Sequence, residues 1–292
     1  MSHYNPKSWF KLIFEFRKTQ TKSTLWQIIC ILCLYSTCIV IIETNFPEYF
    51  DFATSTVIHS LLGFVIGLLL VFRTNTAYDR WWEGRKAWGK LINISRSFAL
   101  KSNALFLKED VVLRRKVNTL ISNYAYALCA HLNDDIDYQE LLSDKAVSTE
   151  HLLKGDHRPN EIISHVYQIL AEQVNNKTIS HEQFLALDYE MRDFIDVLGI
   201  CERIKNTPIP YSYNMFIKKF IFVYVLSLPF ALIDDFGYWT IPVSGFVLYV
   251  LASLELLAEE IEDPFGSDSN DLPTLEMSHT IKTNLKAIYE LD

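Results

Sequence analysis

The sequence predicts an all-α membrane protein: four transmembrane helices continuous with a cytosolic helical bundle. Three observations carry this. Half of the 292 residues are hydrophobic, yet the mean hydropathy is only +0.10, between that of a soluble protein and that of a chain made only of membrane helices. The strongly apolar stretches come in two pairs, separated by a long polar block. Lys and Arg lie before the first stretch, after the second and before the third, whereas the links inside each pair carry carboxylates and no base, as the positive-inside rule requires of a four-pass chain.

Residues 1–24 read as a cytosolic N-terminal segment carrying Lys7, Lys11, Arg17, Lys18 and Lys22. So long and mixed a lead, followed by so long a run, does not read as a signal peptide. Residues 25–72 hold transmembrane helices 1 and 2. Leu25 to Ile42 and Thr54 to Phe72 are both uncharged and about the length a helix needs to cross a bilayer core. Between them lie Glu43, Glu48 and Asp51 with no base; after them come Arg73, Arg80, Arg85, Lys86 and Lys90.

Residues 73–219 read as a cytosolic helical domain. Val117, Leu120, Ile121, Tyr124, Leu128 and Leu132 recur at helical spacing. So do Ile162, Val166, Ile169, Leu170 and Val174, and again Phe184, Leu187, Met191, Phe194, Ile195 and Leu198. Pro, Gly and Asp/Asn gather near 133–137, 154–159 and 207–210 and predict loops there. Residues 220–258 supply transmembrane helices 3 and 4. Phe220 to Ile233 is short enough, taken alone, for a buried or re-entrant segment, and Trp239 to Ala258 carries Glu255. Lys218 and Lys219 precede this pair, and Asp234 and Asp235 lie inside it. A four-pass topology in the cell (inner) membrane, with both termini cytoplasmic, satisfies the charge rule at every loop. Residues 259–292 form an acidic cytosolic C-terminal segment.

Several function classes are excluded. A formal charge of −8 is the wrong sign for a nucleic-acid binder. Of the five cysteines, Cys30, Cys33 and Cys38 share one apolar run and read as small buried residues, not as a disulfide or redox set. No P-loop, G-x-S-x-G or G-x-G-x-x-G is present, so no enzyme is expected. The histidines of the polar block (His131, His151, His157, His165, His181) show no metal-ligand spacing and read as surface residues. His59 lies inside the second apolar stretch, where an ionisable side chain is costly. It either lines a wet path or sits at the interface.

The second apolar helix is the most informative. Phe64, Leu68 and Phe72 recur every four residues and share a face. Gly63 and Gly67 form a G-x-x-x-G that admits a close neighbour. The ridge either faces lipid or core, or converges with copies of itself on an axis to form a hydrophobic constriction. Trp81 and Trp82 suit the interface, and Arg73, Arg80 and Arg85 read as interface anchors.

Three segments, "FRTNTAYDRWWEGRKAWG", "CERIKNTPIPYSY" and "EEIEDPFGSDSNDLP", resemble the signature segments of the bestrophin family, in its bacterial branch. The resemblance runs from about Trp9 to Pro273 in the same order and spacing. It implies a homopentameric ion channel with one central pore, in contact with membrane lipid and passing small monovalent ions. It places the pore neck on Phe64, Leu68 and Phe72. A second, cytosolic aperture is usually apolar in the family, but here it falls near Glu182. A ring of carboxylates favours cations over anions, so the resemblance combined with the acidic composition leans toward Na⁺/K⁺, with chloride as the alternative. Aromatic ring edges can also favour anions. A membrane scaffold or sensor, with a partner-binding cytosolic bundle, is the reading from another class. The acidic segment matches the calcium clasp of animal bestrophins, with side chains from Asp268 and Asp271 and backbone oxygens from Glu260 and Asp263. Hard oxygen ligands suit Ca²⁺; alternatively, the carboxylates cap and solvate a helix exit with no required cofactor.

Overall fold

The computed structural model describes residues 22–46, 56–133, 135 and 157–289. Among these the ordered elements are helical: α1 (Lys22–Asn45), α2 (Thr56–Leu105), α3 (Val111–Leu132), α4 (Arg158–Asn175), α5 (His181–Asn206), α6 (Tyr211–Phe236), a 3₁₀ turn (Gly237–Trp239), α7 (Thr240–Glu262) and α8 (Thr274–Tyr289). The chain divides into two compact units, one comprising residues 2–79 with 208–262, the other 80–207 with 263–292. Helix α2 does not stop where its apolar stretch ends. It runs for 50 residues, contributing its first part to one unit and the rest to the other.

The apolar unit contains α1, the start of α2, α6 and α7. Three spans among the described residues are long and apolar enough to cross a membrane: Leu25–Asn45, Val57–Leu105 and Tyr211–Glu262. The last comprises two helices that turn at Gly237, whose φ of +53° lies in the region that only glycine enters cheaply. Helices α6 and α7 pack on each other, and both pack on α1. Their shared core is Ile29, Leu32, Ile66, Leu70, Ile217, Ile221, Val225, Leu228 and Leu248. Where α1 meets α7 the contact is built from small groups. Ser36 and Ser244 are fully buried, and a Cβ on Gly245 would stand 2.9 Å from the sulfur of Cys33. Close approach of this kind is how helices associate in lipid, where burying apolar surface gains little. The cysteines of α1 are not core residues as a set, since Cys30 and Cys38 are exposed and only Cys33 turns toward α7.

The polar unit is organised on α3, which is buried around its whole circumference from Val117 to Cys129. Periodicity alone predicts one apolar face, but α4, α5 and α8 all pack on this helix, so polar Asn118, Ser122 and Asn123 are buried as well. Its first turn is capped by Asp110, whose Oδ1 accepts from Leu113 N at 2.9 Å. Helix α5 starts on a capping box between Ser180 and Gln183. It buries Leu187, Met191, Phe194 and Leu198 but leaves Ile195 44% exposed. The C-terminal segment is more than an acidic tail. Met277, Ile281, Leu285 and Tyr289 lie four apart on α8 and are buried in the unit's core.

Candidate pore helix and its anchoring segments

Within the apolar unit, α2 presents two opposed stripes with heptad-like spacing. His59, Gly63, Ile66, Leu70, Arg73 and Ala77 form the inward stripe; Ile66, Leu70, Arg73 and Ala77 are at most 2% exposed. Val57, Leu61, Phe64, Leu68, Val71 and Phe72 form the outward stripe, with Phe64 69%, Leu68 47% and Phe72 55% exposed. The ridge read from the sequence is thus an apolar face left exposed among the described residues. Apolar faces of this size mark contact with lipid or with other protein surfaces.

The inward stripe explains itself residue by residue. A Cβ at Gly63 would stand 2.7 Å from the hydroxyl of Tyr224, so glycine makes room for that ring against α2. Gly67 has nothing within 4 Å of a built Cβ; the G-x-x-x-G is used at one end only within the chain. His59 Nε2 lies 3.0 Å from Ser227 Oγ, and that hydroxyl donates in turn to Tyr224 O at 2.8 Å, tying α2 to α6.

One residue past the ridge, Arg73 is buried, with only 1% of its surface exposed. Its Nη2 donates to Glu262 Oε2 at 2.7 Å, and Glu255 Oε2 lies 3.7 Å from its Nε. Glu262 Oε1 accepts from the backbone N–H of Ile209 at 2.8 Å. Arg73 is therefore not an interface anchor in the sense expected. A guanidinium this deep needs paired charge, and the carboxylates at the end of α7 supply it. The same link fixes the entry to α6. Part of the acidic surplus after the last apolar helix is thereby explained.

In the polar unit the remaining signature residues meet. Arg80 donates to the carbonyls of Ile204 and Thr207, both at 2.6 Å, satisfying the last turn of α5 as cations at helix ends do. Trp81 Nε1 donates to Asn270 O at 3.0 Å. A Cβ at Gly84 would stand 3.2 Å from Phe265 and 3.3 Å from Leu272, so glycine lets the 263–273 loop lie flat on α2. The loop is closed by its own bonds. Leu272 N donates to Pro264 O at 2.9 Å and Asp271 N to Asp268 O at 3.2 Å. Asp268 N donates to Asp271 Oδ2 at 2.6 Å, and Phe265 N donates to Asp263 Oδ1 at 3.3 Å. Asn133 Nδ2, just past α3, donates to Gly266 O at 2.7 Å.

The residues implied as a calcium clasp are thus distributed. Asp271 is buried and Asp268 is exposed; Asp263 caps the loop, and Glu260 lies in the last turn of α7. Among the described residues, the side chains of Asp268 and Asp271 belong to no group of three converging side-chain ligands. One carboxylate oxygen of Asp263 and one of Asp271 each accept from a backbone N–H. Glu182 lies in the first turn of α5, fully exposed, and its Oε2 accepts from Ser180 Oγ at 2.7 Å. That bond holds its carboxyl below the ordinary carboxylate range. Leu185, one turn on and 64% exposed, shares its side of the helix.

Sequence reading missed the Arg73–Glu262 pair and the seating of the loop on Gly84, because their partners lie far apart in the chain. A signal did exist in each case: an arginine directly after an apolar run, and a glycine within a helix-forming segment.

Comparisons with known proteins agree with this picture. The description "Bacterial/Fungal Bestrophin protein" fits residues 1–287. The voltage-dependent anion channel-forming protein of Nostoc sp. is 32% identical over 291 residues, covering 98% of this chain and 93% of the relative. The voltage-dependent anion channel-forming protein YneE of Escherichia coli K12 is 34% identical over 229 residues, covering 77% of this chain and 74% of the relative. Among solved structures, a bacterial bestrophin homolog from Klebsiella pneumoniae superposes with a TM-score of 0.82 at 27% identity, covering 90% of this chain and 98% of that one.

Proposed function

The chain belongs to the bacterial and fungal bestrophin family, and from that premise we propose that it is a membrane ion channel in which the outward stripe of α2 lines the pore. The observation that carries this is the uncovered apolar ridge of Phe64, Leu68 and Phe72, directly followed by the buried anchor at Arg73. In this reading five copies place their ridges around one axis, and monovalent ions pass, partly dehydrated, through three apolar rings that gate by dewetting. The chain crosses the inner membrane four times, as α1, the apolar part of α2, α6 and α7. Both termini are cytoplasmic, a topology supported by the charge distribution. Bilayer lipid covers the outer apolar faces.

On selectivity, the exposed and ionised Glu182 supports a lean toward Na⁺ and K⁺, because a ring of carboxylates at the cytosolic exit concentrates cations. A second reading, anion conduction, is favoured by the printed names of the Nostoc and Escherichia coli relatives. The reversal potential of the purified protein in a planar bilayer under a NaCl gradient separates the two. A value at the sodium equilibrium potential supports the cation reading, and one at the chloride potential supports the anion reading. A folded oligomer that never conducts would overturn the channel itself and favour a scaffold.

The acidic loop, in the same proposal, is a brace and needs no Ca²⁺. The support is its internal closure, with Asp263 and Asp271 engaged by the backbone N–H groups of Phe265 and Asp268. Unchanged thermal stability on adding Ca²⁺ or a chelator is the expected result; a calcium-dependent rise would restore the clasp reading.

A further inference from the structure

The polar unit contains a group of side chains that the channel reading leaves unused. His131, in the last turn of α3, and His157, the N-cap residue of α4, both direct Nε2 at the same oxygen, Oε1 of Glu202 on α5, each at 2.8 Å. The imidazole rings lie 4.7 Å apart, centroid to centroid. One ligand atom from each of the three residues falls within 4.8 Å of the other two. The residues are 71 and 45 positions from Glu202 in sequence, which is why no ligand spacing is visible along the chain. Among the described residues this is the one trio of His, Cys, Asp or Glu side chains with such convergence.

We infer that His131, His157 and Glu202 form a binding site for a divalent transition metal of the zinc class. Two imidazole nitrogens and one carboxylate are a donor set that Zn²⁺ accepts, with a water in the fourth position. Ligands at roughly 2.0–2.2 Å from a tetrahedral ion stand about 3.3 Å from one another. Each nitrogen–oxygen separation therefore has to open by only about half an ångström from its present value. With both rings neutral, the set carries one negative charge, so a divalent cation is compensated better than a monovalent one. Mixed nitrogen and oxygen donors also disfavour Ca²⁺ and Mg²⁺, which take oxygen almost exclusively. The three side chains are 29%, 36% and 29% exposed, open enough for an ion to enter. Lys205, whose Nζ donates to the carbonyl of His131 at 3.2 Å, is bonded to that residue's backbone and is not part of the donor set.

The position gives the ion something to act on. It joins the end of α3, the beginning of α4 and the later part of α5, three helices that also pack through apolar side chains. Two residues after His131, Asn133 holds the carbonyl of Gly266 in the acidic loop. A bound ion therefore rigidifies the end of α3 from which that loop is held.

The test is zinc counting on the full-length purified oligomer, stripped with a chelator and then equilibrated with buffered free Zn²⁺. The wild-type protein should hold one Zn²⁺ per chain more than the His131→Ala/His157→Ala double variant. Its Co²⁺ form should show the intense visible absorption of a four- or five-coordinate site, and its thermal midpoint should rise with Zn²⁺ but not with Mg²⁺. Glu202→Gln keeps a side-chain oxygen that can accept from both rings, so it folds if the cluster is only hydrogen-bonded. It should nevertheless lose zinc affinity by at least the roughly 10- to 100-fold seen when a metal's outer-shell partners are removed. Equal zinc counts and equal Co²⁺ spectra in wild type and in a folded Glu202→Gln oligomer overturn the inference, as does failure of the wild type to bind more zinc than the double variant. None of these readouts depends on conductance, so the channel proposal and the metal site stand or fall separately.

Discussion

Arg73 and Glu262 meet at 2.7 Å in a setting where their side chains are only 1% and 10% exposed, although 189 residues separate them in the chain. The pair joins the end of the apolar ridge on α2 to the end of α7. Arg73→Ala leaves two carboxylates buried without their cation and should destabilise the apolar unit by about 3–5 kcal/mol. Glu255→Gln should be close to neutral, because Glu255 is a second carboxylate against a single guanidinium. Thermal melting of the purified protein reads both; a silent Arg73→Ala would show that the pair does not anchor the helix.

The two stripes of α2 should separate folding from conduction. Phe64→Ala and Leu68→Ala remove exposed side chains and should leave chain stability within about 0.5 kcal/mol, while raising single-channel conductance by widening the proposed apolar rings. Leu70→Ala removes a side chain that is 2% exposed and should cost about 2–5 kcal/mol with no direct effect on the pore. Paired melting and bilayer recordings check this, and conductance changes confined to Leu70→Ala would place the pore on the wrong stripe.

Glu182 gives a pH-dependent expectation with a definite sign. Its carboxyl is lowered from the ordinary range because Ser180 donates to the ionised form, so its charge is kept to lower pH than that of a free glutamate. If the protein prefers cations as proposed, that preference should be unchanged between pH 7 and pH 5. It should be weakened at both by Glu182→Gln, and Ser180→Ala should bring its loss to higher pH. Reversal potentials at the two pH values decide it, and identical selectivity in Glu182→Gln would remove this residue from the aperture.

The loop on α2 should fail at its tightest contacts. Asp271→Ala removes the acceptor for Asp268 N–H, a part-buried bond, and should cost about 1 kcal/mol, with or without Ca²⁺. Gly84→Ala places a methyl 3.2–3.3 Å from Phe265 and Leu272, so those side chains must shift by a few tenths of an ångström and stability should fall by less than in Asp271→Ala. Melting in the presence of a chelator and of Ca²⁺ reads both.

Burial pushes the Cys201 thiol up to about 12 and raises that of Cys129 as well. Since the thiolate is the reactive form, neither should react with a maleimide at pH 8 until the polar unit unfolds. Mass spectrometry of labelled peptides before and after denaturation checks this, and rapid labelling of the native protein would show that the core around α3 opens.

The sequence by itself determined the helical class, the placement of the apolar stretches, the ridge of Phe64, Leu68 and Phe72, and the likeness of three segments to one family. These are properties of local periodicity and composition: a helix repeats every 3.6 residues, and an uncharged run of bilayer length can be read without knowing its neighbours. Tertiary structure decided what touches what. It turned Arg73 from a surface cation into a buried partner of Glu262, and Gly63 into the seat of Tyr224. It made the acidic loop a clamp held by Trp81, Gly84 and Asn133, the C-terminal segment a core helix through Leu285 and Tyr289, and two unremarked histidines a convergent pair on Glu202. Each of these rests on side chains from distant parts of the chain, and no repeat along one strand of sequence encodes such a meeting. It arises only when the helices pack.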